Sequence, residues 1–157
     1  ALAVDRAAEV LENRGVTDYV VDGGGDMRVS TGALDAGWPI RVAHPRRETP
    51  LGVVKIASGA IATSGDYEWY FEEDGIRYHH IIKPSTGEPA TGVHSATVFG
   101  PDAVLTDALS TSVFVLGVDR GLTLIGTLPD YESIVIDAAG RVYYSDGLEP
   151  PDAQSGE

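Results

Sequence analysis

Two stretches of this chain carry residue types that can do chemistry. The first is Asp107-Ala108-Leu109-Ser110-Thr111. On a helix, Asp107 and Thr111 stand one above the other, four residues apart, with Ser110 beside them. A carboxylate and a hydroxyl are hard oxygen donors of the kind Mg²⁺ takes, and Mg²⁺ keeps several waters, so few protein ligands are needed. The ordinary alternative is a helical threonine bonded to the carbonyl four residues back.

The second stretch is "RYHHIIKPSTGEP", residues 77–89. Strand alternation puts Ile76, Tyr78, His80 and Ile82 on one face and Arg77, His79 and Ile81 on the other. The first face is the more apolar, so His80 is expected on the buried side and His79 in or near solvent. A histidine at that place is either a satisfied core residue or a general base. The 84–87 turn supplies a fixed φ, two hydroxyls and a glycine free to take positive φ. Its N–H groups can serve an ordinary turn or face an anion.

Other polar stretches are weaker. Gly23-Gly24-Gly25-Asp26 follows a strand-like run but lacks the GxGxxG spacing, and no helix follows it. Thr63-Ser64-Gly65-Asp66 reads as a structural polar turn. His44 and His94 have no partner at a metal-ligand spacing.

The elements that must position these residues are short. Residues 2–14 read as a helix with Leu2, Ala3, Ala7, Val10 and Leu11 on one stripe and Gly15 as its stop. Strands are expected at 19–21, 27–31, 38–43, 53–56 and 60–63, the last two flanking a Ser58-Gly59 turn. Asp74-Gly75 is a type I′ hairpin signal, which sets Glu72 opposite Arg77, Phe71 opposite Tyr78 and Trp69 opposite His80. A strand at 94–99 precedes a helix that has Pro101 at its first position and Gly117 just past its end. A shorter helix at 119–127 and a hairpin of 131–136 with 141–144 complete the pattern. Strands in meander order with few helices make the class α+β.

Composition narrows the function classes. At 157 residues the chain fits one domain. The absence of cysteine excludes disulfides and thiolate metal sites. A net charge of −13 disfavours nucleic acid and anionic membranes. It would also repel a phosphate-bearing ligand unless a cation or backbone N–H groups offset the field. No run approaches the roughly 20 apolar residues of a membrane span.

The order of the motifs is more specific than any one of them. "AVDRAAEVLENRGVTDYVVDGGGDMRVSTG", "WPIRVAHP", "IATSGDYEWYFEEDGIRYHHIIKPSTGEPA" and "VLTDALSTSVFVLG" together resemble the ApbE family of flavin transferases. The resemblance runs from residue 1 to about 145. Family members move the FMN part of FAD, through its phosphate, onto a Ser or Thr hydroxyl of a target flavoprotein. AMP is released and Mg²⁺ is required. The resemblance thus implies Mg²⁺ on Asp107 and Thr111, with Ser110 able to contribute. It makes His80 the catalytic base and assigns FAD contacts to Leu2, Ile82, Pro84, Thr86 and Gly87. It implies an α+β, T-fold-like domain of antiparallel sheets and packed helices over 1–147, with 148–157 a flexible tail.

The family commonly has Asp where this chain has Lys83. The chain also starts inside a motif that normally reads Lys-Gly-x-Ala-Val-Asp. Much of the FAD pocket, and a metal-binding carbonyl, precede that point in the family. These 157 residues alone are therefore expected to bind FAD poorly. The expected partners are FAD and an acceptor flavoprotein, with no nucleic acid. The expected location is the extracytoplasmic side of the bacterial cell membrane, through an anchor upstream of Ala1. Two rivals use the same residues: an FAD pyrophosphatase giving FMN and AMP, and a non-catalytic flavin-binding module.

Overall fold

The computed structural model describes residues 1–32 and 37–148. The tail expected to be flexible falls, beyond Leu148, outside the described residues.

Six strands form one antiparallel sheet in the order β1-β2-β5-β8-β9-β10. They are β1 (Tyr19–Asp22), β2 (Met27–Ser30), β5 (Ser58–Gly65), β8 (Val93–Gly100), β9 (Glu132–Asp137) and β10 (Val142–Tyr144). Alternation along β5 sends Ala60, Ala62 and Ser64 to one side. The register sets Ala62 opposite Val98 and Ser64 opposite Ala96. These small side chains let helix α2 (Ala103–Leu116) lie close to the sheet, where Leu109, Val113 and Phe114 pack with Ala96, Val98 and Val135. Helices α1 (Leu2–Asn13) and α3 (Val118–Ile125) flank α2 in the same layer. On the other side of the sheet, Val29 and Ile61 pack with Ile40 of a separate hairpin, β3 (Trp38–Val42) with β4 (Gly52–Ile56). The class is α+β, as the sequence pattern implied.

The start of α2 is fixed by two carboxylates. Asp102 is its N-cap and accepts from Leu105 N–H at 2.8 Å, while Asp5 of α1 accepts from Ala103 N–H at 2.9 Å and Val104 N–H at 3.0 Å. The first helical residue is thus Ala103, two beyond the Pro101 expected there. Burial pushes the Asp5 carboxyl up. The N–H groups of Ala103 and Val104 and the Arg28 guanidinium outweigh burial, and leave Asp5 below the usual range. This corrects the apolar stripe expected on α1. Its buried residues are Val4, Asp5 and Ala8, while Leu2 is 62 % exposed and Val10 also faces solvent. Capping α2 draws a charged residue into the core and rotates Leu2 and Val10 outward.

Strands β6 (Tyr70–Glu73) and β7 (Ile76–His79) form a third, two-stranded sheet. Asp74 has φ 51° and Gly75 φ 77°, the two positive values a type I′ turn requires. Glu72 pairs with Arg77 and Phe71 with Tyr78, and His80 N–H donates to Trp69 O at 3.1 Å, all as the turn predicts.

The expected burial of this hairpin is reversed. His79 is buried at 7 % exposure, and His80 is exposed. The apolar face of Trp69, Phe71, Ile76 and Ile82 points to solvent. The inner face is chosen by what lies beneath it: Phe114 of α2 meets the His79 ring edge-on at 5.4 Å, and Ile81 packs in the same core. A second correction concerns Ser58-Gly59, which belongs to β5 and is no turn. β4 pairs with β3, and β5 pairs with β2 and β8, so 53–56 and 60–63 never form a hairpin.

Candidate functional site

A cleft of about 290 Å³ opens where α2, the end of β5 and the β7 extension meet. Asp107 and Thr111 line it from α2, Thr63, Ser64 and Gly65 from β5, and His80, Ile81 and Ile82 from the third side, with Glu68 at the rim. The two stretches singled out by residue type thus face one space.

Asp107 is half-buried and Thr111 is exposed. Burial pushes the Asp107 carboxyl up, and the negative charge of Asp26 adds to that, against a weaker opposing pull from the Ala1 amino group. The Thr111 hydroxyl lies 2.9 Å from Ser64 Oγ. It does not bond the carbonyl four residues back, although Ser112 next to it does so, donating to Ala108 O at 2.7 Å. Ser110 sits elsewhere than a ligand would. It is fully buried, donates to Asp107 O at 2.9 Å and lies 2.9 Å from Ser64 Oγ.

Among the described residues, no three His, Cys, Asp or Glu side chains gather around one point. A cation at Asp107 would rest on one carboxylate and neutral oxygens, a donor set that suits Mg²⁺ and not a transition metal. Among the described residues the raised Asp107 is negative charge without a partner side chain, which a bound cation would relieve. The residues present fit the ion.

The two histidines use opposite ring nitrogens. His79 Nε2 faces Ala90 O at 2.9 Å, and His79 Nδ1 accepts from Ile81 N–H at 3.3 Å. A carbonyl only accepts, so His79 carries its proton on Nε2 and both nitrogens are satisfied. His80 Nδ1 faces Trp69 O at 3.3 Å. His80 therefore carries its proton on Nδ1, and the Nε2 lone pair is left for a ligand.

Of the remaining expected contacts, only Ile82 lines the cleft. Ile82 lines it and also a second, open groove of about 510 Å³ with Trp69, Tyr70, Phe71, Tyr78, His80 and Pro89. Pro84, Thr86 and Gly87 are exposed in the turn beyond Ile82 and line neither space. The N–H groups of Thr86 and Gly87 both donate to Lys83 O, at 3.1 and 2.9 Å, so they hold the turn and do not face an anion. Lys83 itself is exposed. Leu2 is exposed and lines neither space.

Two features escaped the reading of the sequence. Ser64 and Glu68 line the cleft, although 63–66 read as a structural turn. The small-residue alternation Ala60, Ala62, Ser64 was a signal that Ser64 faces a helix. Asp66 is the centre of an ion cluster with Arg46 at 2.5 and 2.8 Å, His94 at 3.0 Å and Arg77 at 3.8 Å. A cavity of about 240 Å³ on the far side of the sheet, beside Leu51, Ile134 and Tyr144, has, among the described residues, Lys55 as its one charged residue.

Comparison with known proteins places this chain in a family. The ApbE family profile matches residues 1–135. An FAD:protein FMN transferase of Vibrio cholerae is 34 % identical over 153 residues, covering 94 % of this chain and 46 % of that protein. One from Treponema pallidum is 36 % identical, covering 92 % of this chain and 43 % of that protein. The crystal structure of the ApbE protein from Thermotoga maritima superposes with a TM-score of 0.84 at 39 % identity, over 93 % of this chain and 48 % of that one. The chain spans less than half the length of the relatives it matches. With a family profile over most of its residues, and with relatives that agree in both sequence and fold, the chain belongs to the ApbE family.

Proposed function

We propose that this chain supplies the base and the metal ligands of an Mg²⁺-dependent FAD:protein FMN transferase. The observation that carries the reading is the meeting of His80, Asp107 and Thr111 on one cleft. The relatives' shared name gives the reaction class.

The reaction joins a Ser or Thr hydroxyl oxygen of an acceptor flavoprotein to the FMN phosphorus of FAD. The P–O bond to the AMP phosphate breaks, and its electron pair leaves with AMP. His80 Nε2 takes the hydroxyl proton, because Trp69 O fixes the ring proton on Nδ1. The exposure of His80 lets a macromolecular acceptor reach it. Asp107 and Thr111 would hold Mg²⁺, which supplies charge neutralisation at the diphosphate. That need is acute in a chain of net charge −13. Ile82 forms a flavin-side contact from the cleft, and Leu2 and the exposed 84–87 turn would meet FAD from outside it. Lys83 adds positive charge near the diphosphate. The matched relatives are more than twice as long as the span they share with this chain. The reading assigns the rest of the FAD pocket to the part of them it does not cover, so that these 157 residues alone bind FAD poorly. The enzyme works on the extracytoplasmic side of the cell membrane.

The test is mass spectrometry of an acceptor flavoprotein incubated with FAD, Mg²⁺ and the full-length protein. The expected result is an FMN adduct on a Ser or Thr, with stoichiometric AMP. His80→Ala slows adduct formation by about a thousandfold and spares FAD binding. FMN and AMP released without an adduct would make the protein a pyrophosphatase. FAD bound intact would make it a carrier.

A further inference from the structure

Ser64 has no role in the proposed transfer, yet its hydroxyl touches both Ser110 and Thr111 from the sheet. We infer that Ser64 is a positioning residue: it accepts the Thr111 hydroxyl proton and so turns the lone pairs of Thr111 Oγ1 toward the cleft. The inference rests on the metal site proposed above and deepens it.

The direction of each bond follows from the first. The Asp107 carbonyl can only accept, so the Ser110 O–H points at it across 2.9 Å. Ser110 has one proton. In its 2.9 Å contact with Ser64 it must therefore accept, and Ser64 donates. Ser64 has then spent its own proton. In its 2.9 Å contact with Thr111 it accepts, and Thr111 donates. Any reversal would leave lone pair against lone pair between Ser64 and Ser110 or take the Ser110 proton from the Asp107 carbonyl. The Ser64–Ser110 contact is buried, where an unmade hydrogen bond costs its full desolvation.

The relay thus runs Thr111 to Ser64 to Ser110 to the Asp107 carbonyl. It begins at the hydroxyl and ends at the main chain of the two residues proposed to hold the ion. Ser110, 0 % exposed, and Ser64, 9 % exposed, are shielded from water that would compete for these bonds. Thr111 is free to be set this way because it makes no bond to its own helix. An oxygen with its proton turned inward is a metal ligand without rearrangement.

The experiment is a titration of the full-length protein with Mn²⁺, read by electron paramagnetic resonance without FAD, together with thermal midpoints. Ser64→Ala is expected to raise the Mn²⁺ dissociation constant roughly tenfold, as losses of outer-sphere partners do. Ser110→Ala is expected to do the same. It frees Ser64 to donate to Thr111, which turns the Thr111 proton into the cleft. A merely structural serine would lower the midpoint and leave the affinity alone. Asp107→Asn serves as the reference. If it loses Mn²⁺ while both serine variants bind as wild type, the relay is overturned and the metal site stands. If Ser64→Ala weakens binding and Ser110→Ala does not, the directed chain is overturned. If Asp107→Asn binds as wild type, the metal site falls and the inference falls with it.

Discussion

Two carboxylates, Asp107 within α2 and Asp66 just past β5, meet opposite fates. Asp66 is 7 % exposed, and burial pushes it up. The paired bonds from Arg46 and the contact with His94 more than offset that and hold it below the ordinary 3.8. Asp107 is less buried, yet burial and then the repulsion of Asp26 keep it raised, and among the described residues no cationic side chain answers it. The difference teaches which carboxylate is structural. A charge that the fold has already neutralised has nothing left for a ligand. A charge left unanswered beside exposed hydroxyl and imidazole groups is a place for a cation. The two histidines repeat the contrast, His79 with both nitrogens spent and His80 with one left over.

The largest effect expected separates the histidines. His80→Ala in the full-length protein lowers the rate of flavin transfer by about a thousandfold, the range of a lost general base, with the thermal midpoint unchanged. Equal rates for wild type and variant would dissolve the contrast. Asp66→Asn comes next. It leaves Arg46 and Arg77 without their shared anion and costs about 3 kcal/mol of stability in denaturant titration, as broken buried pairs do.

His79→Ala removes the bond to Ala90 O and the contact with Phe114. It costs about 2 kcal/mol while transfer per folded molecule holds.

The smallest effect has the opposite sign to the others. Because Asp107 is raised, its ionised form opposes folding. Asp107→Asn keeps or slightly increases metal-free stability at neutral pH, and the gain vanishes on acidification as wild-type Asp107 protonates. Asp66 is lowered, so its contribution is present above the ordinary carboxylate range. It is lost as pH falls through the lowered value, and the Asp66→Asn penalty shrinks there. Stability curves of both variants against pH should therefore differ from wild type in opposite directions at neutrality.

Much of this was legible in local chemistry. The Asp74-Gly75 turn set the register of β6 and β7 because two positive φ values leave few alternatives. Helix α2 was legible from Gly117 and its apolar run. That Asp107 and Thr111 share one face followed from a spacing of four, whereas strand alternation separated His79 from His80 but chose the wrong one as buried. What was not legible depended on partners far along the chain. The apolar face of the hairpin is the solvent face, because Phe114, over 30 residues away, selects His79. Asp5 reaches the start of α2 across 98 residues, and no periodicity within α1 signals that. Ser64 lay in a stretch that reads as a turn until β8 pairs with it and α2 covers it. Arg46, Asp66 and His94 come from three segments whose meeting no spacing encodes.

The central claim is that Asp107, and not Asp66, is the carboxylate kept open for a cation. Mn²⁺ titration of the full-length wild type, Asp66→Asn and Asp107→Asn proteins tests it side by side. The account predicts that Asp66→Asn, once shown to be folded, binds Mn²⁺ with wild-type affinity, and that Asp107→Asn loses binding. Loss in Asp66→Asn with retention in Asp107→Asn would contradict it.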